Sequence, residues 1–245
     1  MNGKKILVVA NRNDVQAREL VKRWNSYGAS LLTPENLSVE GWRYYTKDID
    51  NSIAIINGHP LASHDIRGVL TRMHCVLEDD LGHIVPSDRA YVASEMSAFL
   101  LAWLSALKCP VLNRPTPTSL SGPYWRHEKW IFTAARLGIP VAASNRHAIF
   151  QANQILIPER GGVPVTIIGK KHFGNVDQVL IGHARSLADA ARIDLLSVRF
   201  SGHEPDSVFI GASLDIGSVS EDMADAIFEY FQEKYNNENR LEMEG

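Results

Sequence analysis

The chain has 245 residues, a formal net charge of -3, 45% hydrophobic and 22% charged residues. It is long enough to bury a substantial core, as one large domain or two modest ones, and its composition is that of a soluble globular protein. The mild acidity argues against a nucleic-acid partner, which needs a basic face, and two cysteines, Cys75 and Cys109, are too few for a disulfide framework and fit a reduced, cytoplasmic protein.

The first elements read as an open α/β layer. "KKILVVA" is a continuous apolar run of the kind found in central parallel strands, too short for a signal-peptide core. Asn11, Asn13 and Asp14 supply helix-capping chemistry for a helix over 15–27, which Gly28 ends before the strand "ASLLT". "SIAIING" and "IRGVLTRMH" read as further strand pieces. The segment from Tyr91 to Leu107 is the most apolar of the chain. It contains Glu95 and falls short of the ~20 apolar residues of a spanning helix, so it is expected as a buried helix with Val92, Met96, Phe99, Trp103 and Leu107 on one face, and no membrane association is expected.

"CPVLNRP" is a short strand closed by Pro115. Pro123 suits the first turn of a following helix, expected over 124–137 and stopped by Gly138. "VPVTIIG" is a strand with a turn after it, and "DQVLIG" is expected to return antiparallel, before a short helix around 186–191. "IDLLSVRFSG" and "SVFIGASLD" resemble an antiparallel hairpin across the polar turn "HEPD". Ser220 caps a last helix with Met223, Ile227, Tyr230 and Phe231 on one side, and 236–245 reads as a solvated, flexible tail.

Taken together, "SEMSAFLLAWLSALKCPVLNRPTPTSLSGPYWRHEKWIFTAARLGIPV" resembles a boundary found in ATP-grasp proteins of the peptide-modifying and amide-forming ligase type. There a helix and a short strand end in an Asn-x-Pro-like turn, a helix beginning near a lysine follows, and "GIPV" opens the nucleotide-binding part. "IRGVLTR" and "DRAYVASE" resemble the preceding domain, "VPVTIIGKKHFG" the family's strand pair, and "AARIDLLSVRFSG" with "DSVFIGASLDIG" its metal-site hairpin. The resemblance implies a parallel-sheet α/β domain over 1–141 and a residual α+β part with an antiparallel sheet over 163–235. Between them 142–162 forms a shortened connection.

The departures shape the functional expectation. "AASNRHAIFQANQILIPERGG" holds no lysine. It is also roughly half the 40 or more residues that a nucleotide-covering lid of several strands needs. Gly211, Ala212 and Ser213 occupy the region of the family's Glu-x-Asn, although magnesium wants hard oxygen ligands. Phosphoryl transfer rests on positioning and charge neutralisation, so the machinery for it is mostly lacking. The expectation is therefore a degenerate, non-catalytic ATP-grasp-like subunit without cofactor. It would bind a partner enzyme or a peptide in a peptide-modification or secondary-metabolite pathway, with a homo-oligomer as a further option. The alternative is an active carboxylate–amine ligase using ATP and magnesium at a shortened site.

The residues of a residual ligand or partner pocket are Arg72, Asn113 and Arg114 at the ends of presumed parallel strands, with Arg126, His127 and Lys129 at a helix start, where cations do not serve the helix dipole. Asp194, Arg199 and Asp215 on the hairpin complete the set. Lys129 is the match to the lysine that begins this helix in the family. Arg72 and Arg114 are as compatible with structural pairing as with a pocket. Tyr124, Trp125, Trp130 and Phe132 are divided between core packing and a partner surface. His59, His64, His74 and His83 with Cys75 match no standard zinc spacing, and no metal is expected there.

Overall fold

The computed structural model describes residues 5–141 and 161–244. They form two compact units, Met1–Tyr124 with Gly217–Gly245, and Trp125–Ile216.

The first unit is built on a parallel sheet. Strand β1 (Lys5–Val9) leads to helix α1 (Val15–Arg23), a short 3₁₀ turn, and strand β2 (Ser30–Leu32). Asp14 caps α1 by accepting the Ala17 amide at 2.9 Å, and Gly28, at φ +73°, reverses the chain into β2. A one-turn helix α2 (Pro34–Leu37) and an antiparallel pair, β3 (Ile53–Ile56) and β4 (His59–Ala62), precede strand β5 (Ile66–Thr71). Helix α3 (Arg89–Ala106) and strand β6 (Val111–Leu112) complete the order β2-β1-β5-β6, every neighbour parallel. The strands read as unbroken apolar runs because both faces of this sheet are covered. One core joins Leu7, Val9 and Val69 to Leu100, Trp103 and Leu104 of α3.

The second unit opens with helix α4 (His127–Arg136), which starts three residues later than the expected 124, so Pro123 lies outside it. Gly138 ends α4 at φ +74°, as expected. Strand β7 (Val163–Ile168) and strand β8 (Lys171–Phe173) follow, then helix α5 (Gln178–Ala191) and strands β9 (Leu195–Phe200) and β10 (Phe209–Ser213). The antiparallel sheet runs β10-β9-β7-β8. The expected returning strand at "DQVLIG" is corrected: Asp177 caps α5, accepting the Val179 amide at 2.8 Å, and Leu180, Ile181, Ala184, Leu187 and Ala188 keep a helical period and are buried. A short apolar run alone does not distinguish strand from helix.

Two boundaries differ from the sequence reading. Trp130 and Ala134 of α4 pack with Val165, Val198 and Phe209, so the division falls at 124/125 rather than at 141/142. Helix α6 (Glu221–Glu244) returns to the first unit and runs through the segment expected as a tail. Its close packing on β5 has a specific cause: an added Cβ at Gly68 would lie 2.5 Å from Phe231 Cγ. No helix among the described residues is long and apolar enough to cross a membrane. The shortened lid was assigned to 142–162, of which 142–160 lie outside the described residues.

Candidate functional site

Open parallel sheets place ligands beyond the carboxyl ends of their strands, and three expected residues lie there. Arg72, just past β5, donates from Nε to Asp14 Oδ2 at 2.7 Å and from Nη2 to the Gly217 carbonyl at 3.2 Å. Arg114, just past β6, donates to the carbonyls of Leu107 and Cys109 at 2.9 and 3.1 Å, where helix α3 has ended. Both guanidinium groups thus hydrogen-bond within the fold. Asn113, between β6 and Arg114, is 4% exposed.

The group that the sequence left unassigned at this edge is His74. Its Nδ1 lies 2.8 Å from Ser121 Oγ and 3.2 Å from Ser119 Oγ, both serines buried, and its ring meets Tyr124 edge-on at 5.5 Å. The partners are 45 and 47 residues away in the chain, so spacing carried no signal of the contact. Asn11 and Asp80, also at this edge, are joined through the Asn11 amide, and Asp80 accepts the Leu77 amide at 2.9 Å.

The other six expected residues belong to the second unit. Arg126 occupies the capping position of α4 with an exposed side chain, followed by half-buried His127 and exposed Lys129. Arg199 lies on the exposed side of β9, opposite Pro164 and Gly211. Asp194 immediately precedes β9 and Asp215 follows β10. Because Ser197 pairs with Ser213, antiparallel register brings these two carboxylates to the same end of the hairpin, away from Arg199. The Gly169 amide donates to the Asp194 carbonyl at 2.7 Å, so the turn after β7 closes on that end too.

Magnesium bridging phosphates needs a set of hard oxygen donors. Gly211, Ala212 and Ser213 stand opposite Arg199, Val198 and Ser197 on β10, and among the described residues no group of three His, Cys, Asp or Glu side chains converges on one point. On β10, Gly211 and Ala212 bring no side-chain oxygen and Ser213 brings one hydroxyl. Of the titrating groups in this unit, His183 on α5 is held below its ordinary value by burial, with Nδ1 enclosed and without a partner among the described residues.

No family profile and no curated protein matches this sequence. Solved structures do. The macrocyclase MdnC from Microcystis aeruginosa MRC, bound with precursor peptide MdnA, superposes with a TM-score of 0.70 at 10% identity over 93% of this chain and 99% of its own. A Chryseobacterium gregarium RiPP-associated ATP-grasp ligase, in complex with ADP and a leader and core peptide, gives 0.66 at 11% identity over 94% and 97%. The ATP-grasp ligase PsnB with a minimal precursor gives 0.64 at 10% identity over 94% and 99%.

The chain has the ATP-grasp fold. Its parallel sheet, β2-β1-β5-β6, and its antiparallel sheet, β10-β9-β7-β8, are the two sheets of the expected fold class. The ATP-grasp resemblance also assigned β9 and β10 as the metal-site hairpin, and on that hairpin Asp194 and Asp215 are the acidic candidates.

Proposed function

We propose that this ATP-grasp-fold protein is a ligase-like component of a peptide-modification system, one that engages a peptide or a partner enzyme and does not itself turn over ATP. The observation that carries this reading is the β9–β10 hairpin. It presents a glycine, an alanine and a serine where carboxylate and amide ligands would hold magnesium on the nucleotide. The peptide side draws support from the structural neighbours, two of which are bound to precursor peptides and one to a leader and core peptide. Arg126, Lys129 and Arg199 are exposed cations that a peptide carboxylate can reach from solvent.

Calorimetric titration with ATP and magnesium, with ADP and a non-hydrolysable analogue as controls, tests the proposal. No binding at millimolar nucleotide is the expected result, and tight magnesium-dependent binding overturns it.

A second reading, an ATP-dependent carboxylate–amine ligase, has one specific observation in its favour: Asp194 and Asp215 share one end of the hairpin. It requires ADP formation with an acid and an amine, abolished by replacing Lys129, Asp194 or Arg199. Turnover indifferent to all three replacements removes this assignment.

A further inference from the structure

Helix α4 and its capping residue carry three cations, Arg126, Lys129 and Arg136, against one carboxylate, Glu128. Lys129, Phe132 and Arg136 follow helical spacing along one side, and Arg126 at the capping position extends the row by three residues. All four side chains are exposed. Arg12, Arg23, Arg72 and Lys108 each meet a carboxylate. Among the described residues, Arg126, Lys129 and Arg136 meet none.

The cations of α4 lie against rings instead. Lys129 Nζ is 5.2 Å from the centre of the Trp125 ring and 5.8 Å from that of Phe132, and Arg136 Cζ is 5.8 Å from Phe132 on its other flank. Trp125 is in turn packed on buried Trp130 at 4.7 Å, which anchors this end of the row to the core. Phe132 has no such anchor and is 55% exposed. An exposed ring between unmatched cations presents two unmet demands: carboxylates for the charges, and an apolar side chain for the ring. The long stems of Lys129 and Arg136 add apolar surface beside it. A nucleic acid would meet a chain of net charge -3.

We infer that this face of α4 is a docking surface for an acidic peptide segment that carries an aromatic or large aliphatic residue among its carboxylates. The inference rests on the peptide-partner part of the proposed function and specifies the chemistry of that partner and where it lands. The complementarity is one of charge: three cations in a row on the protein, carboxylates on the peptide.

The test uses the full chain and a fluorescein-labelled peptide of alternating glutamate and phenylalanine, read by fluorescence anisotropy at low and moderate salt. The expected result is saturable binding that weakens with salt. Binding should fall about tenfold or more when Arg126→Glu, Lys129→Glu and Arg136→Glu are combined, the sum of three partly exposed charge contacts. Phe132→Ala should weaken binding with little change in its salt dependence. A peptide with glutamine for glutamate should bind poorly. Equal affinity of the charge-reversed protein, equal affinity for the glutamine peptide, or no binding of the acidic peptide at low salt overturns the inference. Should the reversed protein fail to fold, Arg126→Gln with Arg136→Gln removes charge without introducing repulsion, and the same outcomes apply. Nucleotide titration involves no peptide, so a failure of this surface and a failure of the non-catalytic reading are separate results.

Discussion

Arg72 and Asp14, 58 residues apart in the chain, form one device at the carboxyl edge of the parallel sheet. Asp14 holds the first turn of α1 through the Ala17 amide and at the same time receives Arg72, whose second nitrogen reaches the Gly217 carbonyl. This ion pair thus couples β5, α1 and the chain entering α6. Arg72→Ala leaves a mostly buried carboxylate without its cation and is expected to cost about 2–4 kcal/mol. Asp14→Asn keeps a capping oxygen and is expected to cost less than Asp14→Ala, which loses cap and ion pair together. Urea unfolding of the three variants measures the order.

Gly68 is required by the contact between β5 and α6. Its missing side chain makes room for Phe231, whose ring atoms lie 2.5–2.6 Å from where a Cβ would be. Gly68→Ala is expected to destabilise by about 1–3 kcal/mol through overpacking. Phe231→Leu in the same chain should recover part of that loss, and a double-mutant cycle by denaturant unfolding gives the coupling. Additive effects would show that the two residues do not constrain each other.

The α5 start depends on one side chain. Asp177 accepts the Val179 amide, and its own carbonyl begins the helix at Leu180. Asp177→Ala is expected to cost about 1 kcal/mol, with Asp177→Asn near neutral. Thermal unfolding of both variants distinguishes a cap from a merely solvated aspartate, which would tolerate either change.

His183 gives the protein a pH dependence of defined sign. Burial favours its neutral form in the folded state, so its folded pKa lies below the ordinary 6.5. The unfolded chain then binds more protons between the two values, and the stability contributed by neutral His183 is present above pH 6.5 and lost as pH falls below it. Melting temperatures at about pH 7.5 and 5.5 should fall more in the wild type than in His183→Gln. An identical drop in both would place the acid sensitivity elsewhere.

Local chemistry made part of this architecture readable from the sequence. The apolar runs of β1, β5 and β7, the Asp14 cap, the reversals at Gly28 and Gly138 and the β9–β10 hairpin each follow from side chains within a few positions of one another. The miss at "DQVLIG" is of the same local kind: three apolar residues in a row fit either period, and Asp177 decides for the helix. Other features have no local signal. The contacts of Arg72 and Arg114 depend on Asp14, Leu107 and Cys109 arriving beside them, and only tertiary packing brings that carboxylate and those carbonyls to the guanidinium groups. His74 meets Ser119 and Ser121 because the ends of β5 and β6 are neighbours in a parallel sheet. The cations of α4 were visible as residues, but that Lys129 and Arg136 find rings and, among the described residues, no carboxylate is a property of the folded surface. Sequence periodicity thus determined most of the strands and helices, though not α5 or the length of α6. Tertiary structure alone decided which charges are satisfied, because that depends on groups far apart in the chain competing for the same hydrogen-bond partners.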